Sequence, residues 1–594
     1  PAPLLHRLVE SGWVLSMEEL KASPRRKAVS MVRLSEQAAS DERWLNDALD
    51  ALDNRAPSQS RAMMALVAEE GATTGVPLAT LTKMEGVTSS LYKRLMEKGL
   101  VFQFKQDPWQ VQTSQEVEPL ATLSAAQQKA LGLMRQAFQA TPLVLLEGIT
   151  GSGKTEVYTH LIHDALESGR DALFLVPEIA LTTQLIVRLR RFFGDRLEVY
   201  HSRFSPRERT STYRRVSSKE SRGRLMVGAR SAIFLPFSNL GLIVVDEEHD
   251  ASYKQQDPAP RYQARDAAAM LGRLHGAAVV LGSATPSLEA RHAVNAGKAA
   301  HIELKERFGG TSLPEVGLID LRKAHKQRAM EGHFSRELLD ALKSTLEAGK
   351  QAILFQNRRG FAPVYQCRTC GWVPDCERCD VSLTYHKYLR DLHCHYCGYR
   401  QGEPKTCPRC GSEEVEAKGL GTERIEEEVG QLLPGVTVQR MDLDTTRSRT
   451  GHERIIRAFE EGEIQVLVGT QMVTKGLDFE RVGLVGILQA DHMLHFPDFR
   501  ALERTFQLLT QVAGRAGRRG EQGQVLIQTF DPEHWVFQHV VTHDAQAMAE
   551  AELRERESFA YPPVVRLIRL IMRHRDPHLT REAAAALAGR LRSR

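Results

Sequence analysis

The stretch Leu143-Val144-Leu145-Leu146-Glu147-Gly148-Ile149-Thr150-Gly151-Ser152-Gly153-Lys154-Thr155 runs from a short apolar strand straight into a glycine-rich turn. Its second half fits G-x-x-x-x-G-K-[ST]. Glycines at 148, 151 and 153 leave backbone N–H groups free to wrap phosphate oxygens, which side chains there would obstruct. Lys154 is placed to bridge terminal phosphates and Thr155 to hold Mg2+, while the helix starting near Lys154 adds its positive end. Strand, phosphate loop and helix in that order open an α/β nucleotide-binding lobe, with ATP as the expected ligand.

The surrounding pattern extends this reading. Short apolar runs at 143–146, 172–176, 225–227, 240–245 and 278–281 alternate with helical periodicity. The alternation resumes after residue 315, with strands expected at 352–355, 436–441, 466–468, 484–488 and 525–529. Apolar strands separated by helices predict parallel sheets covered on both faces, here two α/β lobes. The strand at 240–245 ends in Asp246-Glu247-Glu248-His249. A carboxylate at such a strand tip suits the second Mg2+ contact, which assigns Asp246 to the metal and Glu247 to polarising the attacking water. Late in the second lobe comes Gln511-Val512-Ala513-Gly514-Arg515-Ala516-Gly517-Arg518. Arg515 and Arg518, three apart, share a helix face. Facing the nucleotide from the other lobe, they would neutralise charge on the phosphoryl group in transfer. A surface basic helix is the alternative.

Composition sets the outer limits. The 594 residues carry 79 Lys plus Arg against 74 Asp plus Glu, so the net charge of +5 makes no global case for nucleic-acid binding. Hydrophobic residues at 42% and charged residues at 26% exclude a largely disordered chain. No apolar run approaches the ~18 residues of a membrane span, and no leader pattern opens the chain. The chain opens at Pro1 and closes at Arg594 in an Ala-rich, helix-like run, which reads as a fragment cut at both ends. All eight cysteines lie between Cys367 and Cys410 in four Cys-x-x-Cys pairs, Cys367/Cys370, Cys376/Cys379, Cys394/Cys397 and Cys407/Cys410. Such clustering indicates metal in a reducing compartment, the cytoplasm, rather than a disulfide framework. Eight thiolates make two closed tetrahedral Zn2+ sites with no open position for catalysis.

Three amphipathic stretches at 61–70, 77–83 and 88–98, then a strand at 100–103, follow a linker at 56–60 and fit a winged helix-turn-helix; a small helical spacer is the alternative. A helix at 4–13, a basic piece from Arg25 to Lys27, and a strand at 564–572 complete the expectations. From Arg188 to Arg230 there are 13 Lys or Arg against four Asp or Glu, with Phe192, Phe193, Tyr200, Phe204 and Tyr213 interleaved. That mixture can follow a phosphate backbone while rings stack on bases.

Taken together, Gly148–Thr155, Asp246–His249, Gly282-Ser283-Ala284-Thr285-Pro286 and Gln511–Arg518 resemble the ordered motifs of superfamily 2 helicases. Within these, Leu175-Val176-Pro177-Glu178-Ile179-Ala180-Leu181-Thr182, Gly228-Ala229-Arg230-Ser231-Ala232, Asn357-Arg358-Arg359-Gly360, Gly469-Thr470-Gln471-Met472 with Lys475-Gly476, and the eight-cysteine insert resemble the PriA (primosomal protein N′) family. The resemblance runs from about residue 60 to the end. It implies an ATP-dependent 3′→5′ DNA helicase that recognises stalled or abandoned forks, unwinds DNA and promotes primosome assembly and reloading of the replicative helicase. Its implied partners are forked and single-stranded DNA, primosome proteins, helicase-loading factors and single-stranded-DNA-binding protein, with no membrane. It also implies that Gln127 contacts adenine and that Ser283 and Thr285 couple hydrolysis to DNA. Tyr253, Lys254, Arg261, Tyr262 and Arg265 fall in a segment similar to the family's aromatic-rich loop, which reports bound DNA to the ATP site. In the family the cysteine turns are nested, Cys367, Cys370, Cys407 and Cys410 outside, Cys376, Cys379, Cys394 and Cys397 inside; side-by-side pairing would also demand a sharp reversal between Cys370 and Cys376. Leu477 stands where the family often has His, and no counterpart of the family's domain for capturing a 3′ strand end is expected among these residues.

The expected organisation is then a partial N-terminal flank (1–58), a winged-helix DNA-binding domain (59–115), a RecA-like ATP-binding lobe (116–310), the start of a second lobe (311–366), a two-zinc insert (367–410), the rest of that lobe (411–540) and a shortened C-terminal domain (541–594). The rival functions are a duplex translocase that does not separate strands and a non-enzymatic fork-binding loader.

Overall fold

The computed structural model describes residues 29–593, apart from 68, 70, 71, 74, 83–85, 107–116, 178–182, 202–203, 219–222, 308–311, 358–363, 368, 379–380, 387–390, 395–396, 419–420, 443–448, 475–478 and 518–521. The expectations at 4–13 and Arg25 to Lys27 lie outside the described residues, as do 178–182, Arg358 to Gly360 and Lys475 to Leu477 of the quoted motifs. Among the described residues no helix is long and apolar enough to cross a membrane.

One compact unit takes in the described residues up to Pro119, with Leu189–Arg196 and Arg203–Arg215. Strand β1 (Val29–Leu34) lies between β2 (Val76–Pro77) and β3 (Val101–Gln106) in an antiparallel sheet. Helices α1 (Pro57–Val67) and α2 (Ser89–Glu97) share one core with it, in which Val32, Met63, Leu66, Leu95 and Val101 are buried. Helices on a small antiparallel sheet are the arrangement expected of a winged helix. Two details differ from expectation. Residues 56–60 are not a linker: Pro57 opens α1, where a missing N–H costs nothing, and Gln59 and Ser60 are buried. No boundary falls at residue 58 either, because β1 supplies the central strand of the same core.

The second unit contains both lobes. In the first, β4 (Leu143–Gly148), β5 (Asp171–Leu175), β6 (Leu197–Tyr200), β7 (Leu225–Gly228), β8 (Leu240–Asp246), β9 (Ala278–Ser283) and β10 (Ala300–Leu304) form a parallel sheet in the order β10-β4-β9-β8-β5-β7-β6. In the second, β11 (Glu315–Asp320), β12 (Gln351–Gln356), β13 (Val438–Met441), β14 (Val466–Gly469), β15 (Val482–Leu488) and β16 (Gln524–Thr529) run parallel in the order β11-β16-β15-β12-β14-β13. Two RecA-like lobes are therefore present, their central strands rich in β-branched and leucine side chains as a doubly covered sheet requires. The cysteine insert leaves the second lobe after β12. The expected strand at 564–572 is absent: Leu567, Ile568 and Leu570 are exposed, and no strand among the described residues pairs with them. Alternating apolar residues form a strand only beside a sheet that buries one face.

Tyr92 ties the first unit together, its fully buried hydroxyl donating to the Ala62 carbonyl at 2.8 Å. Burial pushes this phenol up to about 12. Tyr92→Phe removes one buried hydrogen bond, the Ala62 carbonyl keeping its helical partner, so we expect a loss of about 1 kcal/mol, read from urea unfolding of that unit.

Candidate nucleotide site and metal centre

The phosphate loop lies between β4 and helix α3 (Lys154–Glu167). Gly151 and Gly153 take φ of 82° and 78°, conformations that a side chain disfavours. Behind the loop, helix α4 (Ala125–Ala140) begins with a capping box in which Ser124 and Gln127 satisfy each other's backbone N–H groups. Gln127, buried, also donates through Nε2 to the Ser152 carbonyl at 3.0 Å. Lys154 folds back so that Nζ donates to the Gly148 carbonyl at 2.7 Å. A glycine-framed loop whose lysine rests on a backbone carbonyl fits a triphosphate, and Thr155 follows at the helix start.

Asp246 ends β8 beside this loop because β8, β9 and β4 are neighbours. It accepts from the Tyr158 hydroxyl at 3.1 Å. Burial and the adjoining Glu247 push the Asp246 carboxyl up to about 7, against the pull of Lys154. A carboxylate this poorly compensated suits a divalent cation, so the donor set of Thr155 and Asp246 fits Mg2+. Glu247 itself sits at φ 47°, a left-handed conformation rare outside glycine and often found at functional sites.

The second lobe closes the site. Gln511, on helix α5 (Ala501–Ala513), donates through Nε2 to Glu247 Oε2 at 3.2 Å and reaches His249 Nε2 at 2.9 Å. That leaves the His249 proton on Nδ1, which donates to Ser283 Oγ at 2.7 Å; the same oxygen accepts from the Thr285 N–H at 2.9 Å. The acidic motif, the Ser283–Thr285 segment and the late arginine motif thus meet in one hydrogen-bonded row. A methyl group added at Gly514 would stand 2.8 Å from Thr150 Cβ, so the turn carrying Arg515 lies against the phosphate loop. Arg518 lies outside the described residues.

Other expected contacts turn inward. Tyr253 is fully buried, its hydroxyl donating to the carbonyls of Asp246 at 2.7 Å and Leu175 at 3.0 Å. Arg265 is buried against Glu248 at 3.1 Å. Within the intervening loop, Lys254 Nζ donates to the Arg261 carbonyl at 3.1 Å, and Tyr262 packs edge-on to Phe234 at 4.7 Å. Tyr253 and Arg265 are therefore internal struts behind Asp246 rather than groups presented to a ligand. Likewise Phe193 and Phe204 are buried, which removes them from any stacking surface, whereas Tyr213 is exposed.

The sequence reading missed Arg307. It is buried, donating through Nε to the Thr150 carbonyl at 3.1 Å and through Nη1 to the Gly517 carbonyl at 2.8 Å, so it pins the phosphate loop to the arginine-bearing turn. No motif signals a lone arginine between two lobes. Glu503 and Gln507 were also missed, although their spacing from Gln511 by multiples of four within an apolar helix was a visible sign.

In the insert, Cys367 and Cys410 sulfurs stand 3.6 Å apart and those of Cys370 and Cys407 3.5 Å, the four forming one cluster. Cys376, Cys394 and Cys397 form another, with Cys376 and Cys397 sulfurs at 3.5 Å; Cys379 lies outside the described residues. Four thiolates about 2.3 Å from Zn2+ stand about 3.8 Å from one another, which matches, and a disulfide would need about 2.05 Å. The outer turns pair with each other and the inner with each other. Gln366 Oε1 meets His492 Nε2 at 3.1 Å and Ser382 Oγ meets His495 Nδ1 at 3.2 Å, fastening the insert to the second lobe.

Comparison with known proteins agrees with this geometry. Residues 124–294 match the DEAD/DEAH box helicase family, 376–401 the PriA DNA helicase Cys-rich region domain, and 420–520 the helicase conserved C-terminal domain. Replication restart protein PriA of Bacillus subtilis (strain 168) is 42% identical over 580 residues, covering 96% of this chain and 71% of that protein. The chain belongs to the PriA family. PriA of Synechocystis is 43% identical over 504 residues, covering 83% of the chain and 60% of that relative, and PriA of Haemophilus influenzae 42% over 457 residues, covering 76% and 62%. The chain thus spans about 60–71% of the length of these PriA relatives. Its Cys-rich region is the zinc-binding element of the family, and its lobes are helicase domains.

Asp246 offers a test of the site's electrostatics. Its ordinary value of 3.8 is lower than its folded value of about 7, so between those pH values the unfolded chain releases a proton that the folded one retains, and stability falls as pH rises. Asp246→Asn abolishes this loss. In the nucleotide-free protein the variant's melting temperature should exceed that of the parent by more at pH 8 than at pH 5; an equal difference at both contradicts the burial argument.

Proposed function

We propose that the chain is an ATP-driven DNA helicase of replication restart, in which hydrolysis between the two lobes moves the protein 3′→5′ along one strand. The observation that carries this reading is the hydrogen bond from Gln511 of one lobe to Glu247 of the other, directly beside the phosphate loop. A residue positioned to orient the attacking water is then held by the second lobe, so the reaction is favoured only when the lobes are together.

The residues divide the work. The loop N–H groups and Lys154 grip the phosphates, Gln127, its amide engaged by Ser124 and Ser152, braces the loop from behind, and Glu247 orients water for attack on the γ-phosphorus. Thr155 and Asp246 hold Mg2+, which supplies neutralisation of phosphate charge. Arg515, on the turn against the phosphate loop, and Arg518, by its place in the same motif, would stabilise charge as the bond to the leaving oxygen lengthens. Once phosphate leaves, the attraction across the seam weakens and the lobes part. Ser283 and Thr285, joined to Glu247 through His249 and Gln511, pass that change to the strand contacts. Opening a base pair costs on the order of 1.4 kcal/mol of stacking per step, well within what ATP hydrolysis supplies.

The insert holds two Zn2+, each by four thiolates, in a purely structural role. The substrates are forked and single-stranded DNA. Primosome proteins, loading factors for the replicative helicase and single-stranded-DNA-binding protein are the partners proposed by kinship with the PriA relatives, and the working compartment is the cytoplasm.

Strand displacement on a forked duplex with ATP tests the proposal, with ATP consumption measured alongside. Lys154→Ala should abolish both while DNA binding persists. ATP consumption without displaced strand would establish a duplex translocase instead, and DNA binding without ATP consumption a loader.

Cys376→Ala should lower unwinding far more than ATP turnover, since its site lies in the insert rather than at the phosphates. Equal loss of both in steady-state assays would refute that separation.

A further inference from the structure

Helix α5 lays three polar side chains, four residues apart, against the first lobe. Gln511 reaches Glu247 and His249, as described. Gln507 Nε2 donates to the Thr285 carbonyl at 3.4 Å. Glu503 Oε1 accepts from the Leu288 N–H at 3.0 Å. All three are buried. Leu288 is the first residue of helix α6 (Leu288–Asn295), so the Glu503 carboxylate satisfies one of the N–H groups that a helix start leaves open. The residue before it, Ser287, holds Glu248: its N–H donates to Oε1 at 2.6 Å and its hydroxyl to Oε2 at 2.9 Å. Glu248 is flanked by Glu247 and His249. The start of α6 is thus the rear support of the acidic motif.

A buried carboxylate needs a cation, and Glu503 takes one from a helix packed on the second lobe's core. Helix α7 (Ala545–Ser558) follows the second lobe, and its Arg556 is only 1% exposed. Arg556 Nη2 lies 2.8 Å from Glu503 Oε2, its Nε 3.0 Å from Glu552 Oε1, and its Nη1 donates to the Pro562 carbonyl at 2.9 Å. The guanidinium also covers the Phe499 ring at 4.9 Å, and that ring stacks on Tyr561 at 4.7 Å. Beside it, Arg500 pairs with Glu289 on α6, giving α5 a second grip on the same helix.

We propose that Glu503 is a positioning residue for ATP turnover: held by Arg556, it fixes the start of α6 and so sets Glu247 and the Ser283–Thr285 segment in their working geometry. Helix α7 thereby governs turnover without touching nucleotide. The proposal rests on the motor reading above. Among the described residues no hydrogen bond links Gln127, Lys154 or Thr155 to Glu503, Ser287 or Glu248, so loss of this chain of groups should slow the reaction and leave ATP binding intact.

Glu503→Gln tests it. The amide keeps the size and an acceptor oxygen, and it leaves Arg556 with Glu552 as a one-to-one pair, so the fold should persist. We expect kcat for DNA-stimulated ATP hydrolysis to fall about tenfold, KM for ATP to stay within about twofold, and the melting temperature to be retained. Arg556→Lys keeps the charge but loses the fork that spans two carboxylates, and should show the same split between kcat and KM. An unchanged kcat in a folded variant, or a KM that rises as much as kcat falls, overturns the proposal. Failure of both variants to fold overturns it as well, because the pair would then be structural only. If the parent chain hydrolyses no ATP with DNA present, the motor reading itself fails; if the parent does and the variants match it, only the role of Glu503 fails.

Discussion

Side-by-side parallel pairing of β4, β9 and β8 is the constraint on which the rest depends. In register, Leu146 lies opposite Gly282 and Glu147 opposite Ser283, while Asp246 faces Gly282 from the other side. Three strands that end at the same level deliver the phosphate loop, the acidic motif and the Ser283–Thr285 segment to one edge of one sheet. Chemistry at the carboxyl edge of a parallel sheet follows from this geometry, since helix N-termini begin there and each strand's next residue is free to turn outward. Nothing else in the chain could bring residues 148, 246 and 283 together so economically.

Charge burial then divides the molecule into what grips and what is gripped. The first lobe concentrates carboxylates, Asp246, Glu247 and Glu248, and compensates them incompletely: Arg265 serves Glu248, whereas Asp246 has Lys154 at a distance and a tyrosine hydroxyl. At the acidic motif the second lobe answers with neutral amides, Gln511 and Gln507, while its Arg500 pairs with Glu289 farther along on α6. An amide can accompany a carboxylate through opening and closing without the desolvation cost that a buried ion pair carries. Permanent ion pairing is kept for contacts behind the site, as between Arg556 and Glu503.

Much of this was readable from the residues, and what was not has identifiable causes. The phosphate loop, Asp246, Gln511 and the cysteine turns are local patterns whose chemistry is set by spacing along the chain. Ten strands of the two lobes were legible, nine of them because a doubly covered strand is apolar along most of its length; the exception is β13, an edge strand carrying Gln439 and Arg440. The three that were not, β6, β10 and β11, lie at sheet edges with partly exposed residues, which blurs the apolar signal. Arg307 was invisible because its partners are backbone carbonyls, which have no sequence signature. Tyr253 and Arg265 were assigned to the outside of a loop, yet they stand at its two ends, Tyr253 in the turn Ala251–Tyr253 and Arg265 in the helix Ala264–His275, and both pack inward. Residues 56–60 looked like a linker by composition, yet tertiary packing makes them a helix start.

The insert enters and leaves the second lobe through a single gate. Val364–Cys367 pairs antiparallel with Val415–Lys418, and the outer thiols clasp just beyond that ladder. Everything between adds no strand to the parallel sheet that hosts it, and touches that lobe through side chains such as Ser382 on His495. Such a graft can lengthen, shorten or change its surface over evolutionary time without disturbing the order of strands beneath, leaving the host lobe to be selected for nucleotide chemistry and the graft for whatever it meets.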